Sequence, residues 1–213
     1  MVVSLNLPQI AIIADKDMEL FWDMLDQRLE LCKDALMIRH NMLLGTSSDV
    51  SPIHWQHGAI ARLGKGEKID KYLKDGYSTL SLGYVGVCEM VYAMLGVSHT
   101  TPEGEKFALE VMNYMEDKCM EWKKETGLGF GLYGTPAENL IYRFCRLDKA
   151  RFGEIKNVTD RLYYTNSYHV HVCEEIDAFS KLKFESQFHN ISLGGCISYL
   201  SLIHISEPTR LRC

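Results

Sequence analysis

This chain is sparing with several residue types, and each shortage removes a class of protein. Only five prolines occur in 213 residues, and there is no internal repeat, low-complexity tract or Gly/Ser-rich linker. Collagen-like and solenoid organisations are thereby excluded. No apolar run approaches the roughly 20 residues that a membrane-spanning helix requires. Lysine and arginine never gather into a block, and the formal charge is −5. That balance speaks against a sequence-independent grip on nucleic acid. An anionic small molecule stays compatible with it, because backbone dipoles hold anions without net positive charge. The seven cysteines, at 32, 88, 119, 145, 173, 196 and 213, include no Cys-x-x-Cys pair. Zinc knuckles and thioredoxin-like motifs drop out with it. Scattered single thiols point to a reducing cytoplasm, each read first as a small buried apolar residue. No signal-like segment stands at the start.

What is present alternates between strand and helix signals. Residues 2–7 are β-rich and Pro8 ends them. Asp15 or Asp17 caps a long helix to about residue 44, with Leu20, Phe21, Met24, Leu25, Leu29, Cys32, Leu36 and Leu43 at helical spacing. Residues 45–66 read as a polar loop and 69–73 as a short helix or turn. Residues 79–95 begin extended, with Gly83 and Gly86, and turn helical. Thr101, Pro102 and Glu103 supply a hydroxyl cap, a first-turn proline and an acid, opening a helix that Gly127 closes. A strand, LGFGLY, follows, then a second Thr-Pro start at Thr135 and Pro136. Residues 163–172 alternate in strand fashion, 177–188 suit a short helix, and GGCISY (194–199) reads as a last strand. The spacing predicts an α/β protein with parallel strands. Periodicity does not choose between an open sheet and a barrel.

The Thr135–Asn139 turn is the sharpest candidate site. With Pro136 at the first helical position, the amides of Ala137, Glu138 and Asn139 point outward, where they suit an anion. The alternative is that Thr135 merely caps its own helix. In YYTNSYHV, strand alternation puts Asn166, Tyr168 and Val170 on one face and Thr165, Ser167 and His169 on the other. The second set suits a polar interior. His54-x-x-His57 lacks the helix and glutamate of a metalloprotease motif and reads as loop histidines. Gly83-Tyr-Val-Gly86 is too short for a dinucleotide fingerprint.

The last residues, LSLIHISEPTRLRC, break with the preceding pattern and look like a translated sequencing adapter. Residues 1–199 are therefore treated as the native segment and 200–213 as a non-native tail. Truncation at both ends is expected.

Taken in order, SLNLPQIAI (4–12), ELFWDMLDQRLELCKDAL, STLSLGYVGVCE (78–89), GLGFGLYGTPAENLIYRF (127–144), FGEIKNVTDRLYYTNSYHV (152–170) and FHNISLGGCISY (188–199) resemble the anaerobic, class III ribonucleoside-triphosphate reductases. The resemblance implies part of a ten-stranded α/β barrel built from two half-barrels around a finger loop. It implies reduction of ribonucleoside triphosphates by glycyl and thiyl radical chemistry. A radical-SAM activating enzyme with an iron–sulfur cluster and S-adenosylmethionine installs the glycyl radical. Formate as reductant, zinc in a C-terminal region missing from this chain, nucleotide effectors, a homodimer and a cytoplasmic location come with it. On that resemblance the radical cysteine and glycine lie outside this chain. The Thr135–Asn139 turn resembles a substrate-phosphate cradle, Asn6 would reach the ribose or base, and Asn166, Ser167 and His169 would line the barrel. Another glycyl-radical enzyme of formate-lyase type and a non-catalytic nucleotide-binding domain are the alternatives.

Overall fold

Val2–Asn6 (β1), Thr79–Val85 (β2), Gly129–Gly134 (β3) and Gly195–Cys196 (β4) form a 4-stranded parallel sheet whose spatial order is the chain order. The computed structural model describes residues 1–134 and 137–200. Thr135, Pro136, the side chain of Glu138 and residues 201–213 of the expected tail lie outside that description.

The expected α/β class with parallel strands is what the chain adopts. Leu5 stands opposite Tyr84, and Leu82 opposite Leu132. Together with Leu80 and Phe130 they form one buried face of the sheet. Two long helices cover it. Met18–Leu43 is capped by Asp17, which accepts the Leu20 amide, and buries Phe21, Leu25, Leu29, Cys32 and Leu36 along one stripe. Pro102–Thr126 starts at Thr101, whose hydroxyl accepts the Gly104 amide, and stops at Gly127 in a left-handed conformation. Burying each such leucine contributes on the order of 2 kcal/mol. The other face of the sheet is small: Ser4 faces Gly83, where a Cβ would come 2.7 Å from Ser4 Oγ. Among the described residues, β1 has no strand on its outer side.

Numbering the helices in chain order gives α1 (Leu7–Ala14), α2 (Met18–Leu43), α3 (Pro52–Trp55), α4 (Val87–Leu95), α5 (Pro102–Thr126), α6 (Glu138–Phe152) and α7 (Ala178–His189). Residues 45–78 fold over a small core of Ala61, Leu63, Ile69 and Leu73, flanked by Trp55 and Tyr72. His54 in this loop shares a 2.6 Å hydrogen bond with Ser51 Oγ.

Four expectations need correction. Helix α1 replaces the end of the first strand, because Asn6 is its N-cap and Pro8 sits in its first turn. Pro8 begins a helix here as well as ending a strand. The helix after β3 begins at Glu138, with Ala137, expected inside the helix, at the cap position instead. Residues 163–172 are not a strand: only Asn166 bridges, antiparallel to Val85, and Ser167 is left-handed at φ 46. The last strand is two residues long, Gly195–Cys196.

Candidate functional site

Because the strands run parallel, Asn6, Val85 and Gly134 end β1, β2 and β3 on the same side of the molecule. Helices α1, α4 and α6 start there, so their unpaired amides and positive dipole ends converge. This is the edge where open parallel α/β sheets bind ligands.

Each start is satisfied differently. Asn6 Oδ1 accepts the Gln9 amide at 3.3 Å. Helix α4 opens on Gly86 and has no side-chain cap. Its amides are met instead by main-chain carbonyls, Gly86 N donating to Thr165 O at 2.9 Å and Val87 N to Ser167 O at 3.1 Å. Asn166 lies between, and its Oδ1 accepts the Ala137 amide at 2.9 Å. The segment 165–167 therefore serves α4 with its backbone and α6 with a side chain. That double duty is why it does not run on as a strand.

Two buried carboxylates secure this edge. Glu89, fully buried in α4, receives Thr165 N at 2.9 Å and Thr165 Oγ1 at 2.7 Å, both on Oε1. Its Oε2 has no hydrogen-bond partner among the described residues. Burial holds its carboxyl above the ordinary value, against the pull of the Thr165 bonds. Asp148, 1% exposed in α6, receives Asn6 Nδ2 at 2.7 Å, Gln9 Nε2 at 2.6 Å and Tyr164 OH at 2.9 Å. Burial and the neighbouring Asp148 carboxylate keep the Tyr164 phenol protonated well beyond its usual range. A cleft of about 360 Å³ runs beside this network, past Ser4, Asn6, Arg28 and Phe144.

The candidate residues thus fall into two groups. Asn6, Ala137 and Asn166 lie at the strand ends, and Asn139 is exposed as the second residue of α6. The amide of Ala137, expected to point outward, is taken by Asn166. Thr135 and the Glu138 side chain fall outside the described residues. Ser167 is buried, with its carbonyl committed to α4. His169 belongs elsewhere: Nδ1 lies 3.3 Å from Glu185 Oε1 in α7, beneath the edge. Burial alone would raise the Glu185 carboxyl, but His169, Lys181 and the Val170 amide hold it below its ordinary value.

Glu89, Asp148, Gln9 and Tyr164 were not singled out by sequence. A signal existed for two of them. Glu89 is a lone acid in the apolar run VCEMVYAML, and Asp148 continues the buried stripe of Ile141 and Cys145. Among the described residues no three His, Cys, Asp or Glu side chains converge as metal ligands. The zinc that the resemblance implies belongs to a region outside this chain, and none of these residues is assigned to it. No helix here is long and apolar enough to cross a membrane among those described.

Fold and edge together define a parallel α/β protein with its polar network at the carboxyl ends of the strands. The family model of anaerobic ribonucleoside-triphosphate reductase matches residues 1–211. The chain belongs to that family. It is 41% identical over 201 residues to the anaerobic ribonucleoside-triphosphate reductase of Escherichia coli K12, covering 93% of this chain and 28% of that protein. The reductase of enterobacteria phage T4 is 40% identical over 206 residues, with 94% and 33% covered. The chain thus spans about a third or less of these relatives. The anaerobic ribonucleotide reductase of Thermotoga maritima, solved with dATP in its specificity site, superposes at a TM-score of 0.72 and 21% identity over 97% of this chain and 33% of its own. Solved with dATP and CTP, it gives 0.67 and 19%, over 96% and 34%. The fold is that of the matching third of these enzymes.

Proposed function

We propose that the protein containing this segment reduces ribonucleoside triphosphates anaerobically, and that residues 135–139 receive the substrate's phosphates. Family membership supports the reaction. The single observation that carries the location is the convergence of the starts of α1, α4 and α6 at the carboxyl ends of the parallel strands. The Ala137 amide already donates to Asn166 Oδ1, so a phosphate oxygen either displaces that side chain or uses the amides that follow Ala137.

In this reading the segment's own residues bind and orient. Asn6, its amide fixed by Asp148, presents a directed donor to the sugar. Tyr164 stays protonated and donates only to Asp148. Ser167 and His169 support the lining from behind. The glycyl radical, installed by an activase using S-adenosylmethionine and an iron–sulfur cluster, supplies the hydrogen-abstracting chemistry from outside these residues. Formate is the proposed reductant, nucleotides the effectors, a homodimer the assembly and the cytoplasm the location. The segment is taken as residues 1–199, with 200–213 a non-native tail.

Four of the chain's thiols, Cys32, Cys88, Cys119 and Cys145, are buried rather than exposed at the strand ends where a substrate would sit. The test is Thr135→Glu in the full-length enzyme. Loss of triphosphate binding is expected from the added negative charge, and unchanged binding overturns the cradle. A formate-lyase-type enzyme would be indifferent to the same change.

A further inference from the structure

Glu89 touches nothing at the mouth of the edge, yet the geometry of the edge traces back to it. It receives both the amide and the hydroxyl of Thr165 on one oxygen. The next residue, Asn166, bridges to Val85 and holds the Ala137 amide. Two further bonds, from Gly86 N and Val87 N, fasten the carbonyls on either side of Asn166 to the start of α4. Glu89 adds the side-chain anchor from within that same helix. A fully buried carboxylate with one oxygen unpartnered among the described residues is costly to keep. Its bonds converge on the residue that precedes Asn166.

We propose that Glu89 is a positioning residue for phosphate recognition: by clamping Thr165 it fixes Asn166 over the start of α6, and so sets the donors that meet the substrate's phosphates. The inference rests on the cradle reading above and names the residue that controls it. Glu89 makes no contact with substrate in this account.

The test uses the full-length, activated enzyme with CTP as substrate and cytidine as the phosphate-free probe. Glu89→Leu keeps an apolar fit and removes the acceptor. It is expected to raise KM for CTP about tenfold, the equivalent of one lost hydrogen bond, with kcat within about twofold. Cytidine binding stays near wild type, and the melting temperature falls by no more than two unsatisfied Thr165 donors account for. Glu89→Gln, which still offers an oxygen to Thr165, restores KM. An unchanged KM in Glu89→Leu overturns the proposal, and so does an equal loss for CTP and cytidine alongside a lowered melting temperature. Should Glu89→Leu fail to fold, Thr165→Val removes the hydroxyl donor alone and is read the same way. Thr135→Glu runs beside them. If it leaves KM for CTP untouched, the cradle falls and Glu89's role with it. If it is impaired while Glu89→Leu is not, only the role of Glu89 falls.

Discussion

Asp148 is where a single side chain does most for this edge. It gathers Asn6, Gln9 and Tyr164, two of them from the first turn of the chain, at positions 142 and 139 residues away. Asp148→Ala leaves three donors without their acceptor, and each unsatisfied group costs about 1–3 kcal/mol. A loss of about 3 kcal/mol is expected in denaturant melts of the full-length protein, with Asp148→Asn costing less. His171 makes a second prediction. Burial, with the Arg161 charge, lowers its imidazole from 6.5 to about 4. The unfolded chain therefore takes up that proton first as pH falls. The His171 contribution is whole above about pH 6.5, is lost between 6.5 and about 4, and changes no further below. Melting temperature against pH measures this, and His171→Gln should flatten that interval. Glu185 works in the same direction at lower pH, since its depressed carboxyl favours the fold above its ordinary value.

At the scale of elements, the start of α4 depends on Gly86. Its φ is 77, and a Cβ there would come 2.2 Å from Pro8 Cγ in α1. Gly86→Ala combines a left-handed backbone cost of about 1 kcal/mol with displacement of Pro8. Thermal melts should show a drop larger than that backbone term alone, and affinity for nucleotide should fall with it. The same elements show what a sequence carries. Helices α2 and α5 were legible because their apolar spacing and their caps, Asp17 and Thr101, agree with each other. Helix α1 was hidden by Pro8, which ends strands and begins helices equally well; the cap at Asn6 was the missed signal. Residues 163–172 alternate polar and apolar because their partners alternate, Glu89 and α4 on one hand and the core around Tyr168 on the other. No local pattern separates that from a strand. Asn166 was recognised as polar and placed, but its bond to Ala137 joins residues 29 apart, beyond any periodicity.

The molecule as a whole has an unfinished side. Beside the outer edge of β1, helix α2 exposes Leu31 at 57%, Ile38 at 60% and Met42 at 77%. A free strand edge next to an apolar stripe is a template for association. Residues 1–199 produced alone are expected to aggregate or melt without cooperativity, as judged by light scattering and calorimetry; a sharp melt of a monomer would contradict this. Ile38→Lys should increase the soluble fraction. Arg39 already tempers one end of that edge, its guanidinium donating to Val2 O at 2.7 Å. The strands also pair in the order in which they occur. A ribosome making this chain would deliver each strand to a neighbour already synthesised, so the sheet can grow in one direction as translation proceeds, while Asn6 and Gln9 wait for Asp148. Among the described residues the outer flanks of β1 and β4 stay unmatched when that growth ends.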